Sequence, residues 1–165
     1  MLYVRFGLTL LISLGMGSIL GYINYAMGKD AGAKTFALVS LGATLVSMVS
    51  TYFFVNLNIW GAADPGRISA SVVTALSFLG TGMIWFSEEK RVKGVSSVAN
   101  LWITALLGLM LGCNIISKAL IGFVFILVVY LAMTVALIYK KKHGFRRKWK
   151  WLPLMKTTHK ENRKL

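Results

Sequence analysis

Few residues in this 165-residue chain could hold a proton or a cation, and their spacing does not suit catalysis. The acids are Asp30, Asp64, Glu88, Glu89 and Glu161, and the two histidines, His143 and His159, stand sixteen residues apart. A zinc site built on that pair is weakly supported. The single cysteine, Cys113, provides neither an intramolecular disulfide nor a thiolate metal framework. It reads as a small apolar filler. No HxxE, CxxC, GxSxG or P-loop pattern occurs. Asp64 is a weak metal candidate, because divalent ions collect several oxygens and no other acid falls on its side of the chain in the topology below. These residues point to a non-enzymatic protein with no catalytic group and no cofactor.

The elements carrying these residues are apolar. Hydrophobic residues make up 56% of the chain. They fall in long runs at 8–20, 36–55, 68–86, 98–113 and 119–139, each near the roughly 20 residues that an α-helix needs to cross hydrocarbon. Lipid leaves backbone groups no water partner, so such runs are helices. The sequence predicts an all-α membrane protein, a bundle of five transmembrane helices over about 3–26, 34–56, 66–86, 97–112 and 116–139. The first apolar region runs on to about Ile23, longer than the roughly 7–15 residues of a secretory signal's core, which predicts a retained span. The last two helices are joined by "GCNIIS" (112–117), a Gly-Asn turn that makes a helical hairpin of what would otherwise be one over-long helix.

Nineteen Lys and Arg against five acids give a net charge of +14. Eleven of the basic residues lie from Lys140 onward. With the C-terminus cytoplasmic and the N-terminus outside, Lys29, Lys34, Lys90, Arg91, Lys93 and the tail are inside, and only Arg5, Arg67 and Lys118 are outside. That asymmetry is the positive-inside pattern. Residues 1–139 form the expected transmembrane domain and 140–165 a basic cytoplasmic tail.

Small residues recur at helical spacing. They are Ser13, Gly17 and Gly21 in the first span; Ala37, Ser40, Thr44, Ser47 and Thr51 in the second; Gly66, Ala70, Thr74, Ser77 and Thr81 in the third; and Thr104, Gly108 and Gly112 in the fourth. Close approach between membrane helices relies on such faces, so a tight bundle of helices one to four is expected, with the fifth facing lipid. The hydroxyls either bond their own helix backbone or line a conduction path. At the start of the third span, "DPGR" reads as a helix start, with Asp64 the N-cap, Pro65 at N1 and Arg67 at N3.

Three blocks carry a family resemblance: "GAKTFALVSLGATL" (32–45), "DPGRISASVVTALSFLGTGMI" (64–84) and "VKGVSSVANLWITALLGLMLG" (92–112). Together they resemble the MgtC/SapB family of bacterial inner-membrane proteins over about residues 10–135. The matching positions are Gly32, Lys34 and Thr35; Asp64, Pro65 and Arg67; Phe78, Leu79, Gly80 and Gly82; and Lys93, Gly94, Ser96, Ser97, Ala99, Leu101 and Trp102, followed by Gly108 and Gly112. Asn100 lies inside the third block. Four features depart from the family. Where its helix-one motif is Gly-Leu-Glu-Arg-Glu, this chain has Gly21-Tyr22-Ile23-Asn24-Tyr25. Lys34 stands for an Arg and Thr81 for an Ala. A basic tail takes the place of the longer members' soluble domain. The resemblance implies a multi-pass protein of the bacterial inner membrane, linked to growth in low magnesium and, in pathogens, to survival in host cells. It implies modulation of another membrane protein, such as the F-type ATP synthase, more than magnesium or cation transport by an oligomer, the alternative.

Two stretches on the expected cytoplasmic side could meet partners. In "SEEKRVKGVSSVANLW" (87–102), Gly94 permits a bend and Ser96 or Ser97 can cap helix four, or Lys93 and the free amides of the helix start can contact a partner or a phosphate. In the tail, Lys140, Lys141, Lys142, Arg146, Arg147, Lys148 and Lys150 alternate with Phe145, Trp149 and Trp151. This suits anionic lipid headgroups at the membrane surface, which compete with nucleic acid there. The expected partners are therefore membrane lipid and either another membrane protein or a second copy of the chain.

Overall fold

In a computed structural model of the protein, the described residues are 2–56, 64, 66–88 and 91–142. The elements run α1 Leu2–Ala26, α2 Ala33–Asn56, α3 Gly66–Met83, β1 Trp85–Phe86, β2 Val92–Lys93, α4 Val95–Gly112 and α5 Ile116–Lys142. The protein is an all-α membrane bundle. Segments of α1, α2, α4 and α5 are long and apolar enough to cross a bilayer (Tyr3–Ala26, Ala33–Tyr52, Val95–Gly112 and Ile116–Ala136). Helix α3, with its Ser, Thr, Gly and Arg67, is not among these. The chain divides into two compact units, Met1–Phe125 and Ile126–Leu165.

In the first unit, α2 packs against both α1 and α4, and α3 touches α2 and α4. The α1–α2–α4 seam is built as the small-residue spacing predicts. A Cβ on Gly17 would come within 2.6 Å of the Phe36 carbonyl and 2.8 Å of the Ala37 Cα. One on Gly108 or Gly112 would collide with the Ser40 or Thr44 carbonyl. Only hydrogen at these positions lets the backbones meet. Between the glycines lies a chain of buried hydroxyls. Ser13 Oγ is 2.9 Å from Ser40 Oγ and 2.7 Å from Thr44 Oγ1. Thr44 Oγ1 is 2.9 Å from the Ser40 carbonyl and 3.0 Å from that of Gly108. Carbonyls only accept, and each hydroxyl has one proton. Thr44 therefore donates to a carbonyl, Ser13 donates to Thr44, and Ser40 donates to Ser13. Ser47 extends the seam by donating to the Leu109 carbonyl at 2.9 Å, and its Oγ lies 3.0 Å from Cys113 Sγ.

Helix α3 departs from expectation. Gly66, Ala70, Thr74, Ser77 and Thr81 are all exposed, while Leu76 and Gly80 are buried. The helix docks through its aliphatic side, with Val98 pressed onto Gly80, where a Cβ would meet Val98 Cγ1 at 2.7 Å. The exposed hydroxyls bond their own helix, Ser77 to the Val73 carbonyl at 3.0 Å and Thr81 to that of Phe78 at 2.7 Å.

The third helix also ends at Met83, short of the expected 86. Trp85 and Phe86 instead pair antiparallel with Lys93 and Val92, and Ser87 N–H donates to the Arg91 carbonyl at 2.8 Å. An aromatic pair and a β-branched residue flanking a charged turn favour a hairpin over another helical turn. Gly94 follows, with φ 93°, and caps α4 without a side-chain bond. This corrects the expectation that Ser96 or Ser97 caps the helix and that it starts at 97. The left-handed backbone at Gly94 does the turning, and a Cβ there would strike the Met83 carbonyl.

The Gly-Asn turn forms as predicted. Asn114 has φ 62°, its N–H bonds the Leu111 carbonyl, and Ile115 N–H bonds that of Met110. This is a Schellman closure with Asn in the usual glycine position. Of α5 residues 116–125, only Ala119 is buried, in keeping with a lipid-facing helix. In the second unit, α5 continues to Lys142, with Thr134 Oγ1 bonding the Tyr130 carbonyl at 2.9 Å.

Candidate functional site

The signature blocks converge at one end of the bundle, where α1 turns into α2 and the hairpin leads into α4. Helix α1 closes on Gly28, φ 74°, with Gly28 N–H on the Tyr25 carbonyl and Lys29 N–H on the Asn24 carbonyl. Asn24 is fully buried. Its Nδ2 donates to the Ala31 carbonyl at 2.7 Å and, at 3.4 Å, more weakly to Ser97 Oγ. Its Oδ1 accepts from Asn100 Nδ2 at 2.9 Å. One neutral side chain thereby ties the α1–α2 turn to the first two turns of α4. A buried amide left without partners would cost about 1–3 kcal/mol, so these contacts fix the junction.

Outside this knot is a cavity of about 630 Å³, bordered by Lys29, Asp30, Trp85, Lys93 and Ser96. A smaller one, of about 260 Å³, reaches Gly82 and Met83. Lys93 Nζ lies 5.2 Å from the Trp85 ring centroid, a cation–π distance. Two lysines, one carboxylate and the start of α4 thus face a common space. This arrangement suits contact with a charged surface.

The structure brings together Gly82, Lys93, Gly94, Ser97 and Asn100 of the expected residues, and places Gly80 next to them through Val98. Lys34 and Thr35 are exposed in the first turn of α2, and Trp102 is 43% exposed on α4. Gly108 and Gly112 belong to the helix seam. Asp64 and Arg67 lie at the start of α3, the helix end away from the hairpin. There Asp64 Oδ1 accepts the Gly66 N–H at 2.8 Å, the bond of an N-cap. Among the described residues no three His, Cys, Asp or Glu side chains gather. Lys140, Lys141 and Lys142 close α5. Pro65, His143, His159, Arg146, Arg147, Lys148, Trp149, Lys150 and Trp151 lie outside the described residues.

Asn24 is the residue that sequence reasoning missed. It had a signal: a lone amide in an apolar run, between Ile23 and Tyr25, must find partners inside a membrane bundle. Nothing local indicates that those partners are Ser97 and Asn100, more than seventy residues away.

The model of the MgtC family matches residues 10–137. The chain is 32% identical over 140 residues to the putative magnesium transporter YhiD of Escherichia coli K12, covering 81% of this chain and 64% of that protein. It is also 32% identical to Protein MgtC of Brucella abortus, over 69% of this chain and 45% of the relative. Protein SrpB of Synechococcus elongatus is 32% identical, with 72% and 69% covered. The chain thus spans from under half to about two thirds of these proteins. No solved structure matches it.

Proposed function

Because this chain belongs to the MgtC family, we propose that it is a non-enzymatic membrane protein that regulates a membrane partner through its helices, in connection with low-magnesium adaptation or virulence. The observation that carries this reading is the closed α1–α2–α4 seam. Its hydroxyls are bonded to each other and to backbone carbonyls, and its glycines bring the backbones into contact. A seam so filled leaves no path for a hydrated ion, and its groups are neutral where cation carriers place ionisable ones. The outward small-residue face of α3 supports the regulatory role, since a second membrane helix can approach it closely.

Transport is the second reading, favoured by the name of the Escherichia coli relative. Purified full-length chain in liposomes is expected to give no Mg²⁺ influx above that of empty vesicles. A saturable influx abolished by Asp64→Asn would overturn the regulatory reading.

The proposal includes the five-span orientation, with the N-terminus outside and the tail cytoplasmic. Lys29, Arg91 and Lys93 fall at the junction end, and Arg5 at the other, which fits the positive-inside pattern. Cys113 is exposed at the α4–α5 turn. It is expected to react in intact spheroplasts with a membrane-impermeant thiol reagent. Reaction only after lysis would reverse the orientation.

A further inference from the structure

At the end of the bundle opposite the junction, the first turns of α1, the last turns of α2 and the end of α4 enclose a groove of about 620 Å³. That volume is in the range of small-molecule sites, about 300–1,000 Å³. Its walls are apolar: Phe6 from α1, Met48 and Val49 from α2, and Leu111 from α4. The groove opens outward, since Phe6 and Val49 are each 46% exposed. On a membrane bundle that opening faces acyl chains.

The one charged residue on its border is Arg5. Thr9 Oγ1 bonds the Arg5 carbonyl at 2.9 Å, a contact to the backbone that does not involve the guanidinium. Among the described residues Arg5 has no ion-pair partner. A guanidinium at the mouth of an apolar groove, one helical turn from the end of a span, matches the layout of a phospholipid. The tail enters the groove and a phosphate meets the fork of N–H donors, which pairs with phosphate in bidentate fashion.

We propose that this groove is a binding site for an anionic phospholipid of the phosphatidylglycerol type, with one acyl chain between α1, α2 and α4 and its phosphate on Arg5. A zwitterionic lipid offers the same tail, but its own ammonium competes with Arg5 for the phosphate. The net negative charge is therefore what the site selects. The site draws on none of the residues of the basic tail, and the proposal is independent of the partner-regulation reading.

The test uses the full chain in nanodiscs of phosphatidylcholine, with trace phosphatidylglycerol or phosphatidylcholine carrying a diazirine in the acyl chain. Adducts are mapped by peptide mass spectrometry. The phosphatidylglycerol probe is expected to label peptides containing residues 5–9 and 48–52, and unlabelled phosphatidylglycerol to compete it away. Arg5→Gln should lower that labelling about fivefold, the scale of one basic residue's attraction to an anionic surface, while labelling of residues 140–165 stays unchanged. Val49→Trp, which fills the groove, should lower it independently of charge. Equal labelling by both probes, or an Arg5→Gln variant labelled like the parent, overturns the proposal. So does absence of labelling with either lipid, which would mean that protein covers the groove.

Discussion

Helices α2 and α3 carry nearly the same pattern of small residues, and the bundle uses the two in opposite ways. On α2, Ala37, Ser40, Thr44 and Ser47 are buried between α1 and α4. On α3, Gly66, Ala70, Thr74, Ser77 and Thr81 are all exposed. Spacing shows that a face can pack closely without showing against what. Two differences separate them. Helix α2 meets glycines on both neighbours, Gly17 and Gly21 on one side and Gly108 and Gly112 on the other, so its backbone can approach each. Helix α3 instead places its aliphatic side, with Leu76, against the bundle and needs only Gly80 to seat Val98.

The comparison can be broken most sharply by adding bulk to each face. Gly108→Leu drives a side chain into the Ser40 carbonyl and Ala43. Overpacking costs about 1–3 kcal/mol and more when backbone must move, so the expected loss is about 3 kcal/mol. It would be read as reduced folded protein in the membrane and a lowered melting temperature in mild detergent. Ala70→Leu on α3 should leave both within the roughly 0.5 kcal/mol of an ordinary surface change. Equal damage from the two substitutions would mean that the α3 face is part of the packed bundle.

A finer test removes hydroxyls. Thr44→Val breaks the bond to Gly108 and leaves Ser13 without its acceptor. Interhelical hydrogen bonds in membrane proteins are worth about 0.6 kcal/mol on average and up to about 1.7, so the melt should show a loss of about 1 kcal/mol. The smallest effect is expected from Ser77→Val, whose hydroxyl serves only the Val73 carbonyl of its own helix. A Ser77 variant as damaging as the Thr44 one would show that α3 makes polar contacts of its own in the membrane.

Much of the fold was legible because membrane helices announce themselves by apolar length. The runs placed all five helices to within a few residues. Asp64 was legible as a cap and Asn114 as a turn because both work through bonds to near neighbours. Trp85 and Phe86 misled because an apolar aromatic pair suits a strand as well as a helix end, and its partners Val92 and Lys93 are set by tertiary pairing. Ser97 misled in a similar way. Its composition fits a cap, but Gly94 already turns the chain, and Ser97 is drawn inward to Asn24. Of the site, the resemblance blocks located Lys93, Gly94, Ser97 and Asn100. The residue holding them together, Asn24, falls where this chain departs from the family pattern.

The direction of the hydroxyl chain bears on the order in which the protein is assembled. Ser40 can donate to Ser13, Ser13 to Thr44 and Thr44 to the Ser40 carbonyl, all within α1 and α2. These two helices emerge from the ribosome before α4, and Asn24 and the Ala31 carbonyl clasp the turn between them. The pair can therefore enter lipid as a hairpin with these three hydroxyls already satisfied, while Ser47 and the Asn24 Oδ1 find their partners on α4. When α4 arrives, after α3, the proton of Thr44 need only swing to the Gly108 carbonyl. At Thr44, docking of α4 thus exchanges one bond for another, and at Asn24 and Ser47 it supplies bonds that the hairpin lacks, so the polar groups themselves favour the arrival of α4.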